Sequence, residues 1–160
     1  MKKKDTLLNT ALAQLANLYQ AELLIRDFLK VLQHYASTDD LKWQIFGQRH
    51  QVEARNKRLR VLLASFDHQK NSASGEEVHG ILRHGLKMIK QFPHDEDKDL
   101  PVIHVLMLVH HYMRSAYSIL GSYFLKCGYP MEAKQVQKYA REEESAIEED
   151  MRVHEAILLD

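Results

Sequence analysis

The residues of this chain that could do chemistry are histidines and carboxylates at helical spacing. His110 and His111 lie in a run that is otherwise apolar at alternating steps of three and four: Ile103, Leu106, His110, Met113, Tyr117, Leu120 and Phe124. Such a run buries one side of a helix for more than three heptads. A titratable group inside it costs free energy unless a partner meets it. Three other stretches carry the same interruption. One reads Leu8, Leu12, Leu15, Tyr19, Glu22, Arg26 and Leu29, and a second reads Leu41, Ile45, Gln48, Val52, Arg55, Leu59, Leu62 and Phe66. The third reads Val136, Ala140, Glu143, Ile147, His154 and Leu158. Each of the four seams thus turns a polar residue inward near its middle: Glu22, Gln48, His110 and Glu143. Carboxylates and imidazoles so placed can hold divalent ions. Alternatively, fixed side-chain cations can neutralise the acids, and Arg26 and Arg55 lie in the same seams within two turns.

The elements that must position these groups are long helices. Few glycines (6) and prolines (3) interrupt the 160 residues, and helix-forming Leu, Ala, Glu, Lys and Gln are abundant. The spacing predicts helices over about 5–36, 39–68, 76–92, 101–127 and 130–159. Asp5 or Thr6 is a candidate cap for the first, and the turn 37–40 forces the first two into an antiparallel hairpin. A linker at 71–75 precedes the short third helix, whose glycines at 80 and 85 weaken it. An acidic loop at 93–98 follows, and Gly128 with Pro130 separates the last two helices. Two hairpins joined by a long crossover describe one all-α domain over 1–160, a ferritin-like four-helix bundle with a short fifth crossing helix.

Composition narrows the function. The 22 basic and 22 acidic residues cancel, so no overall field draws nucleic acid or an anionic membrane. The lone Cys127 excludes an internal disulfide and fits a reducing cytoplasm. Met1 to Lys4 imitates the charged start of a signal peptide, but the amphipathic continuation does not. The apolar run Val102–Val109, interrupted by His104, is too short to span a bilayer. The expectation is a cytoplasmic protein contacting neither nucleic acid nor membrane. Arg49, Arg55, Lys57, Arg58 and Arg60 form a basic cluster read as surface charge, since no aromatic residues interleave with it. No phosphate loop, nucleophile elbow or Cys–His–Asp arrangement occurs, and no catalytic residue is assigned.

Leu18-Tyr19-Gln20-Ala21-Glu22, Leu41-Lys42 with Arg58-Leu59, Val109-His110-His111-Tyr112 and Glu142-Glu143-Glu144 together resemble the YciE/YciF-like family, bacterial ferritin-like proteins associated with stress responses. The resemblance spans nearly the whole chain and implies a di-metal site in the bundle. Of the ligand positions it implies, Glu22, His111 and Glu143 are retained. Gln48 and Gln51 stand where the family carries a His-x-x-Glu pair, His110 and Met113 replace two glutamates, and Ile147 replaces an aspartate. A slip of the second helix would instead bring His50 and Glu53 inward as ligands.

The leading expectation is a non-catalytic member with a degenerate metal site and no cofactor, acting through assembly or partner binding. Its buried polar layer comprises Glu22, Arg26, Gln48, Arg55, His110 and Glu143, and Leu18, Ile25, Tyr123 and Tyr129 supply a homodimer face. The alternative is a working iron or manganese protein handling iron or peroxide, with Glu22, His110, His111 and Glu143 plus His50 and Glu53 as ligands. A third reading is a bundle that holds a small apolar ligand between its helices.

Overall fold

A computed structural model of the chain describes residues 3–67 and 73–159. Five α-helices follow one another: α1 (Lys3–Tyr35), α2 (Asp39–Ser65), α3 (Glu76–Ile89), α4 (Asp99–Cys127) and α5 (Pro130–Leu159). Among the described residues the rest is turns and one 3-10 turn at Asp95–Asp97. The helix α2 ends earlier than its periodicity predicts. After Ser65 the backbone tightens into bonds from Phe66 and Asp67 to Leu63 and Ala64, and Asp67 turns left-handed at φ 52°. His68, Asn71 and Ser72 lie outside the described residues. The helix α4 starts two residues before Pro101, which a first turn tolerates because its N–H groups have no intrahelical acceptor. Gly128 closes it at φ 89°, where a left-handed residue lets the backbone satisfy the last carbonyls.

α1 pairs with α2 and α4 with α5, each as an antiparallel hairpin. Asp99, 2% exposed at the start of α4, fixes how the hairpins meet. Its carboxylate accepts bonds from the backbone N–H groups of Ser37 (2.6 Å) and Thr38 (3.1 Å) and from the Thr38 hydroxyl (2.7 Å). The beginning of α4 therefore sits at the end of α1. Neighbouring helices around the ring α1–α2–α5–α4 are then all antiparallel, while α2 and α4 are diagonal and parallel. A parallel diagonal needs a long crossover, and α3 lies within it, packed over α1 and α4. This is the ferritin-like bundle.

The core is continuous across all five helices. Leu18 and Ile25, expected on a homodimer face, are each 3% exposed inside it. Because α3 adds a second layer over α1, a flank of α1 that an isolated bundle would leave open is covered. Tyr123 and Tyr129 are half-buried against the same core.

Candidate functional site: a buried polar layer at mid-bundle

The four long helices bring their inward polar residues to one level. Arg55, 2% exposed, reaches across the core from α2. Its Nη1 donates to Glu22 Oε1 at 2.8 Å and also to Glu143 Oε1. Its Nε and Nη2 donate to Glu142 Oε2 at 3.3 and 3.2 Å. The guanidinium lies 5.5 Å from the ring centre of Tyr117 and 5.6 Å from that of Tyr139, so two aromatic faces hold it. Tyr117 donates its hydroxyl to the same Glu22 oxygen. Burial pulls the Arg55 pKa down, but Glu22 and Glu143 outweigh this and hold it well above the ordinary value.

Glu143 bridges to a second cluster. Its Oε2 lies 2.5 Å from His110 Nδ1. On the other side of the ring, His110 Nε2 faces Gln48 Oε1 at 3.3 Å and Asp150 Oδ2 at 3.6 Å. Asp150 Oδ1 accepts amide protons from Gln48 at 3.0 Å and from Gln44. Both ring nitrogens of His110 thus face acceptors, the environment of an imidazolium donating from each. Burial lowers its pKa, but the Glu143 carboxylate outweighs that and raises it. Burial also works against ionised Glu143, yet His110 and Arg55 together hold its carboxyl below the usual range. For Glu22 burial prevails over Arg55 and pushes the pKa up. Asp150 is pushed up to about 6, again by burial. Among the described residues, Glu22 Oε2 and Asp150 Oδ2 are buried without a hydrogen-bond donor, as acids that take up protons easily would be.

Five of the expected layer residues meet here: Glu22, Gln48, Arg55, His110 and Glu143. Arg26 does not. Its Nε bonds Asp27 at 3.0 Å with the side chain 35% exposed. From Glu22 the inward face of α1 continues through Ile25 and Leu29, a step of three and then four, which leaves Arg26 on the flank. His111 and His50 point to solvent, and Glu53 is half-buried, paired with Arg49 at 3.5 Å. These three join none of the layer, since α2 and α4 turn the adjacent Gln48 and His110 inward instead. Among the described residues, no three His, Cys, Asp or Glu side chains are disposed to hold a metal ion. The periodic reading missed Tyr117 as a hydroxyl donor, Glu142 as the outer partner of Arg55, and Asp150. The last was detectable, because it lies seven residues after Glu143 on the same face. The seam of α5 runs on through Asp150, Val153 and Ile157, leaving His154 on its flank and Leu158 exposed.

A family model described as "Domain of unknown function (DUF892)" matches residues 6–157. The chain belongs to this family. Two solved structures share the DUF892 chain's fold. One is the Escherichia coli stress protein YciF, with a TM-score of 0.90 and 17% identity, covering 100% of this chain and 99% of that one. The other is YcfI from Rhodopseudomonas palustris, with a TM-score of 0.83 and 17% identity over 94% and 96% of the two chains. A search of curated proteins finds no match. No helix among the described residues is long and apolar enough to cross a membrane.

Proposed function

We propose that this DUF892 member is a non-catalytic, stress-associated cytoplasmic protein that binds no metal and acts through self-assembly, Arg55 having replaced the charge of a di-metal centre. The observation that carries the reading is the guanidinium of Arg55 among Glu22, Glu142 and Glu143. Two divalent ions bring four positive charges and require several free carboxylates and imidazoles. Here both oxygens of Glu143 are engaged, by Arg55 and His110. One oxygen of Glu22 already accepts from Arg55 and Tyr117, and Gln48 is neutral. A divalent ion entering this layer would meet a fixed cation at contact distance. The donor set therefore does not fit iron or manganese. The role in stress is carried over from the described role of YciF, at an identity where the likeness is one of fold. Exposed Val61 (68%) and Met131 (73%) supply apolar surface for a homodimer.

Elemental analysis of protein purified without a chelating tag, followed by titration with iron(II) and manganese(II), tests the metal half. The expected result is no stoichiometric metal, together with a loss of roughly 3–5 kcal/mol of stability in Arg55→Met, which leaves buried acids unpaired. Near-stoichiometric metal that vanishes in Glu22→Ala would establish the di-metal alternative instead. Sedimentation of a monomer at all concentrations would refute the homodimer.

A further inference from the structure

On the side of the bundle away from α3, α2 and α5 are held apart by a cleft of about 520 Å³. Along it α2 places Trp43, Gly47 and the amides of Gln44 and Gln48, where a bundle neighbour would ordinarily place leucines. Gly47 costs helix α2 roughly 1 kcal/mol relative to alanine, and a Cβ added there would meet nothing within 4 Å. The space is thus left open by residue choice, and no backbone crowding imposes it.

The cleft is selective in charge. Its only ionisable lining residues are carboxylates, Asp40, Glu142 and Glu149. Arg55 engages Glu142 from within, which leaves Asp40 and Glu149 facing the opening. Exposed carboxylates beside the exposed ring of Trp43 suit a ligand that combines cationic donors with a short apolar body.

We propose that the α2–α5 cleft binds small aliphatic amines of the diamine and polyamine class, with ammonium groups on Asp40 and Glu149 and the methylene chain against Trp43. The site is separate from the polar layer, which meets it only through the inner ends of Gln44, Gln48 and Glu142.

Trp43 is the single tryptophan of the chain, so its emission reports directly on the cleft. Titration with putrescine and spermidine should change it saturably, with a Kd of about 1 mM or tighter. The matching neutral diol and equal ionic strength of sodium chloride should not. Gly47→Leu fills the cleft and should abolish the response while melting no lower than the parent. Glu149→Gln, at an exposed position, should weaken binding about two- to fivefold, the worth of one exposed ion pair. An absent response, one reproduced by the diol or by salt, or affinity unchanged in Glu149→Gln and Asp40→Asn would overturn the proposal. So would a folded Gly47→Leu protein that binds amines as the parent does.

Discussion

At the scale of single residues, the buried layer makes stability depend on pH in a defined direction. Burial raises Asp150 from an ordinary 3.8 to about 6, so the folded state holds that proton more tightly than the unfolded chain does. Its contribution is complete below 3.8 and is lost as pH rises through about 6, a change of roughly 3 kcal/mol. His110 has the same sign at higher pH. Its pKa is raised by Glu143 against the pull of burial, so its contribution is full below 6.5 and disappears as pH climbs through the higher folded value. Asp150→Asn keeps the acceptor for Gln44 and Gln48 but cannot ionise. In urea unfolding, the variant should gain on the parent as pH rises from about 4 to 6 and then level off. A difference that does not vary with pH would exclude Asp150 as the titrating group. His110→Gln should remove the decline above 6.5 that is expected of the parent.

At the scale of elements, two glycines of the same short helix have opposite roles. A Cβ on Gly85 would lie 2.4 and 2.7 Å from the two methyl groups of Val105, because α3 packs directly on α4 there. Gly80 would meet nothing within 4 Å. Only Gly80 therefore weakens α3 without a compensating contact. Gly85→Ala should cost about 1–3 kcal/mol by pushing α3 off α4. Gly80→Ala should add about 1 kcal/mol, since alanine restricts the unfolded chain and favours the helix. Thermal melts of the two variants should move in opposite directions. A gain in both would mean that α3 does not dock through Gly85.

At the scale of the molecule, α4 is the element against which the rest is assembled. It packs on α5, α1 and α3, and Ile103, Met113, Tyr117, Leu120 and Phe124 along it are wholly inaccessible. In contrast, α3 is attached through one face, Val78, Leu82, Gly85 and Ile89. Local opening follows the amount of buried contact an element would lose. Native-state hydrogen exchange should accordingly find the middle of α4 slowest and α3 among the first helical segments to open. Equal protection in both would make the crossover inseparable from the bundle. The α2–α5 side retains an open cleft, whereas α4 and α5 pack closely around the buried His110–Glu143 contact and provide cohesion.

Much of this was legible along the chain. Apolar residues at steps of three and four fix which face of each helix is buried, and short turns at 36–38 and 128–129 leave the hairpins no other arrangement. The inward direction of Glu22, Gln48, Arg55, His110 and Glu143 follows from that periodicity alone. What periodicity within one helix does not contain is the axial register between helices far apart in sequence. Register and side-chain reach decided that Arg55 spans the core to Glu22, Glu142 and Glu143, whereas Arg26 lies on the flank because the buried face of α1 steps from Glu22 to Ile25. They also recruited Asp150, Glu142 and the Tyr117 hydroxyl. A long side chain can meet any group within its reach at its own level, and only the packed bundle determines which groups share a level.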